Sequence, residues 1–169
     1  ASFETVLSAT MLNNGLLQEF VLPGGPIRAR YLKLLLKTNY GSPASISLAT
    51  FNPVAVGSVD SLLSLPGLTN VARGQSPALV INGAAIYSSS YGGGASSADG
   101  LLGYGRGGFI TSSLANEFVI IQLGGGRVYN LKGIRLATWF DAGFGNAKPT
   151  AVKDFEVWVS ATTPDAGSF

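Results

Sequence analysis

The chain has 169 residues, 46% of them hydrophobic and only 12% charged, with 23 Gly, 8 Pro and a formal net charge of +2. That length gives one domain with a substantial core, and the glycines and prolines cut every apolar run short of the ~20 residues that cross a bilayer as a helix. The absence of Cys and His excludes disulfides, thiolate metal sites, Ser-His-Asp and Cys-His catalysis and ordinary zinc chemistry, and scattered Lys and Arg in place of a basic stripe argue against a nucleic-acid partner.

Residues 4–8 and 18–22 are short strand candidates, and the polar, alternating start predicts no signal peptide at Ala1. Residues 30–37 form the strongest strand, with Leu32, Leu34 and Leu36 on a buried face and Tyr31, Lys33, Leu35 and Lys37 on the other. Residues 45–51 are a further candidate. Residues 54–77 are the least patterned and are expected to connect two sheet-forming halves; 60–65 is the one possible helical turn, capped by Ser58 or Asp60 and stopped by Pro66. After a candidate strand at 79–81, residues 88–108 are rich in Gly, Ser and Tyr, either a disordered linker or loops pinned by Tyr87, Tyr91 and Tyr104. Strands follow at 108–111, 117–123, 131–137 and 152–160, with 124–126 as a hairpin turn and Phe155, Val157 and Val159 facing away from Asp154, Glu156 and Trp158. Many short strands with almost no helical period indicate an all-β sandwich or jelly roll.

Asn-Glu-Phe-Val-Ile-Ile-Gln-Leu-Gly from Asn116, Val-Tyr-Asn-Leu-Lys-Gly-Ile-Arg-Leu from Val128 and Val-Lys-Asp-Phe-Glu-Val-Trp-Val-Ser up to Ser160 resemble the central part of discoidin, or coagulation-factor C-type, domains, members of the galactose-binding-like fold. Gly-Phe-Ile-Thr-Ser-Ser from Gly108 resembles the preceding strand, with Phe109 where that family usually has Trp. The part expected after the Val-Ser strand stands at the start of this chain: Ser-Phe-Glu-Thr-Val-Leu-Ser from Ser2, Leu-Gln-Glu-Phe from Leu17, Ala-Arg-Tyr-Leu-Lys-Leu from Ala29 and Asn-Tyr-Gly from Asn39. The tail ends on Ser168-Phe169 and the head opens on Ser2-Phe3. The resemblance therefore implies a single galactose-binding-like jelly-roll β-sandwich in circularly permuted order, with 1–53 as the family's C-terminal part, 54–77 as connector and 78–169 as its N-terminal part. An engineered permutant, a natural one and one period of a tandem array all give this order. In the last case a chain completes its sandwich with a neighbour's segment.

The same resemblance places ligand loops at one end of the sandwich, at 88–94, 103–107 and 138–149. Tyr91, Tyr104, Arg106, Trp139, Phe140, Asp141, Phe144 and Asn146 there provide aromatic platforms for a pyranose face and polar groups for its hydroxyls. The competing explanation is that these aromatics pack loops or a subunit interface. Trp158 is expected on the outer face under a loop, and Tyr40 in a structural turn. Family members often bind calcium; here Thr50 stands where their Glu is common, Asp99 remains as one possible ligand, and that is little charge for a hard cation. Asp154 and Glu156 share a strand face and are expected as solvated edge residues, not a hydrolytic pair. The expected function is a non-catalytic extracellular or cell-surface module binding carbohydrate or a matrix ligand, with no cofactor. The alternative, favoured by low charge and permuted ends, is a self-assembling structural repeat whose partner is a copy of itself.

Overall fold

Alternation of apolar and polar residues at a period of two gives a strand one face for a core, and the chain uses it throughout. A computed structural model describes residues 3–56, 68–70, 85–89, 109–110, 114, 116–138, 140–141, 146–147 and 149–164; residues 56, 68–70, 85–89, 109–110, 140–141 and 146–147 are described by backbone course and pairing. The strands are β1 (Glu4–Thr10), β2 (Gln18–Val21), β3 (Ile27–Ala29), β4 (Tyr31–Leu36), β5 (Ser47–Leu48), β6 (Thr50–Val56), β7 (Leu68–Asn70), β8 (Ala85–Ser89), β9 (Phe109–Ile110), β10 (Glu117–Gln122), β11 (Tyr129–Ala137), β12 (Phe140–Asp141), β13 (Asn146–Ala147) and β14 (Asp154–Ser160).

Two antiparallel sheets carry the architecture. The first has the order β1-β14-β4-β10-β8; the second runs β2-β11-β6-β7, with β3 beside β2 on the same edge of β11. Small ribbons pair β12 with β13 and β5 with β9. Leu32, Leu34 and Leu36 of β4, Val119 and Ile121 of β10 and Phe155 and Val157 of β14 share one buried cluster with Phe51, Ala55, Leu131, Ile134 and Leu136 of the second sheet. The rings of Phe20 and Phe155 meet edge to face across the layers, 5.0 Å apart. The chain is therefore an all-β sandwich, as its periodicity predicts.

A register shift between Leu131 and Gly133 sets which β11 residues face inward. Tyr129 and Leu131 fall on odd positions and Ile134 and Leu136 on even ones, yet all are buried, because one extra residue in a β-bulge reverses the alternation. Gly133 is required there: a Cβ would lie 2.6 Å from the carbonyl oxygen of Phe20 in β2.

The structure corrects several expectations. β4 is buried on both faces, because Tyr31 and Lys33 of the outer face are covered as well as the three leucines. Asp154 and Glu156 are not on an edge, since β14 lies between β1 and β4. Gly124–Gly126 is a 3-10 turn that carries the chain from the first sheet to the second, not a hairpin; Gly125 and Gly126 both take φ of 65°, and the Tyr129 hydroxyl donates to the Gly124 carbonyl oxygen. The stretch 54–77 is not purely a connector: β6 continues to Val56 and β7 pairs with it. Residues 88–89 belong to β8, which pairs with β10. The helical turn expected at 60–65 and the strand at 79–81 lie outside the described residues.

Candidate functional site

At one end of the sandwich β1, β4, β8 and β11 finish and β2, β6, β10 and β14 begin. The segments expected to carry ligand loops spring from this end: the chain leaves β8 after Ser89, enters β10 at Glu117, leaves β11 after Ala137 and returns toward β14 through 149–153.

Local hydrogen bonding fixes this end. The Asn39 amide donates to the carbonyls of Ser42 and Ser45, at 2.9 and 2.8 Å, while its oxygen accepts from the Gly41 amide at 2.8 Å. Gly41 takes φ of 106°, a turn conformation suited to Gly. The backbone amides of Tyr40 and Ser42 donate to the Pro149 carbonyl, and the Tyr40 hydroxyl donates to the Met11 carbonyl. Tyr40 thus pins two loops together, the structural role its turn suggested. Asp154 accepts from the Thr10 and Thr38 hydroxyls, each at 2.6 Å, and these donors hold its carboxyl below the ordinary carboxylate range. One side chain of β14 so ties the end of β1 to the segment that follows β4.

The loop from Met11 to Leu17 was not singled out by sequence. The Gln18 side-chain amide pairs with both backbone groups of Leu12, each at 2.7 Å, and the Asn14 side chain accepts from the Leu16 amide at 3.0 Å. The Gly15 amide donates to the Thr138 hydroxyl at 3.2 Å, which joins this loop to the root of segment 138–149. Leu12 and Leu16 are nevertheless 64% and 65% exposed. Asn13-Asn14-Gly15 is a turn signal, and its flanking by leucines was the available clue.

Of the predicted ligand residues, the structure brings Phe140, Asp141 and Asn146 together in one ribbon, with Asp141 opposite Asn146 and Phe140 opposite Ala147. Tyr91, Tyr104, Arg106, Trp139, Phe144 and Asp99 lie outside the described residues. Among the described residues no three acidic side chains gather to hold a metal, and Thr50 is buried at the start of β6.

A second constellation occupies the outer face of the first sheet. Lys33 is 5% exposed, and its ammonium lies 4.9 Å from the centre of the Phe118 ring and 5.6 Å from that of Trp158. Burial lowers its pKa from 10.5 to about 8, with the charge of Glu156 opposing in part. Glu156 itself accepts from Lys37 at 3.1 Å and from the Trp158 indole N–H at 3.0 Å. Phe3, Tyr31 and Ile120 complete the apolar surround. Trp158 is half-buried there, on the outer face as predicted.

Comparison of the chain with protein-family models, with curated proteins and with solved structures gave no match in any of the three.

Proposed function

We propose that the chain is a non-catalytic, extracellular or cell-surface recognition module of the discoidin-like type, a jelly-roll sandwich in circularly permuted order that binds carbohydrate or another surface ligand through the loops at one end. The observation that carries this reading is the construction of that end: loops shaped locally by Asn39 and Gln18 are tied across distant parts of the sequence by Tyr40, Thr138 and Asp154 into a platform from which segment 138–149 springs. Loops on a stiff scaffold suit recognition because little ordering entropy remains to be lost on binding. The antiparallel pairing of β1 with β14 supports the permuted order, since it sets side by side the strands that the family joins in sequence. Lys33 and Glu156 are explained by packing and pairing, so no catalytic role is assigned to them.

A glycan array probed with the wild-type chain and with Arg106→Ala and Trp139→Ala tests the reading. Retention of a defined glycan class by the wild type, weakened at least tenfold in both variants, is the expected result. No retention of any glycan or matrix ligand by the folded wild type sinks it.

The second reading, a self-assembling structural repeat, draws on Leu12 and Leu16. Aliphatic side chains held outward by a hydrogen-bonded loop fit an apolar protein surface better than a sugar.

A further inference from the structure

The strand pairings divide the chain in an unusual way. With residues 3–70 as one part and 85–164 as the other, β1 pairs with β14, β4 with β14 and β10, β2, β3 and β6 with β11, and β5 with β9. All seven pairings join the two parts. Among the described residues only β6 with β7, β8 with β10 and β12 with β13 stay within one part, and the isolated bridges Asn39 to Val152 and Ser47 to Ala151 again cross between them. The core repeats the pattern: Leu34 is flanked by Val119 on one side and Val157 on the other.

Among these residues neither part by itself builds a sheet of more than two strands. β1 and β4 have no neighbour but strands of the second part, and β11 and β14 none but strands of the first. Each part offers an open set of strand edges that the other fills, and an identical part from a second copy fills them equally well. Residues 71–84, between β7 and β8, number 14, and at ~3.3–3.6 Å per residue their extended reach is about 50 Å. The width of a compact domain of this length is about 40 Å, so a connection from one sandwich to the next is within reach.

We infer that the first part of one chain completes the second part of another copy, so that two chains form paired sandwiches, or successive chains a linear array, through the same strand contacts that close the monomer. Because each exchanged contact replaces an identical one, the exchange needs no new interface, and rising chain concentration favours it. The inference deepens the assembly reading and names its partner and its surface.

Two full-length variants test it. Leu34→Asp disables the first part and Val157→Asp the second, since a carboxylate replaces a fully buried side chain in each. Each variant refolded alone is expected to lack the β-sheet circular dichroism of the wild type. Refolded together from denaturant, they yield one intact sandwich for each exchanged pair, with the unmutated first part from Val157→Asp and the unmutated second part from Leu34→Asp. The expected result is about half the wild-type signal on a particle of twice the chain mass. A mixture that stays unfolded while the wild type refolds under the same conditions overturns the inference. Wild-type oligomers without rescue in the mixture also overturn it, and leave the assembly reading resting on surface contacts alone.

Discussion

Lys33 shows how one residue's chemistry is set by its surroundings. Its neighbours across β10 and β14 are Ile120 and Trp158, and covering the ammonium penalises its charged form. A lowered pKa means that the unfolded chain binds more protons between about pH 8 and 10.5, so in that window stability rises with pH and the cost of the charge is largest below it. Lys33→Met keeps the length of the side chain and removes the charge. Urea midpoints measured from pH 7 to 10.5 are expected to rise in the wild type and to stay flatter in the variant. At pH 7 the variant gains on the order of 1–2 kcal/mol, less the lost attraction of the rings. Equal pH slopes in both proteins would show that the ammonium is not desolvated in the fold. Gly133 gives a second prediction at this scale. The Cβ of Gly133→Ala meets backbone, not a flexible side-chain end, so β2 must move away from β11. A loss of about 1–3 kcal/mol in chemical denaturation is expected, as for other overpacked sites, and an unchanged midpoint would mean that β2 sits more loosely than the pairing indicates.

Among the elements, the loop at residues 39–45 owes its course to the Asn39 side chain. Asn39→Ala removes three hydrogen bonds, at about 1 kcal/mol each a loss of about 2–3 kcal/mol. Asn39→Asp keeps the acceptor for the Gly41 amide but sets a carboxylate oxygen against the Ser42 and Ser45 carbonyls, so it should cost at least as much as Ala. Amide hydrogen exchange at Gly41 separates the cases, fast in Ala and still slowed in Asp. The elements also show what a sequence discloses. β4 and β14 were legible because their inward positions are all aliphatic or aromatic at a strict period of two, as in Leu32, Leu34 and Leu36, and β10 because Val119 and Ile121 keep that period after Glu117. β7 and β8 were not, because a short strand is defined by the neighbour it pairs with, and that neighbour is remote in sequence. The bulge in β11 hid its face assignment by reversing the period at Gly133. The cover over the outer face of β4 was illegible for a different reason: a Lys on the face opposite three inward leucines reads as solvated, while its ammonium in fact lies against the rings of Phe118 and Trp158. Within the candidate site, sequence named the strand residues Phe140, Asp141 and Asn146 but passed over the Leu12 and Leu16 loop, whose shape depends on Gln18 and Thr138 reaching it from outside.

For the whole molecule the question is whether association, where it occurs, runs through exchanged strands or through the exposed leucines. The two routes respond differently to one change. Leu12 and Leu16 are mostly solvated, so the double variant Leu12→Ser, Leu16→Ser is expected to leave folding stability within about 0.5 kcal/mol of wild type. If copies meet through these side chains, each buried Leu contributes about 1.5–3 kcal/mol to the contact, and removing both weakens self-association by at least about 100-fold. Strand exchange uses the interior contacts instead, so oligomers formed that way keep their mass distribution in the double variant. Light scattering of wild type and variant over a dilution series therefore distinguishes the routes. A drop to monomer assigns assembly to the leucine loop. An unchanged distribution of oligomers assigns it to the interleaved strands. A wild type that is monomeric at every concentration removes both routes and directs the exposed leucines toward a different partner, which is the circumstance in which the recognition reading is strongest.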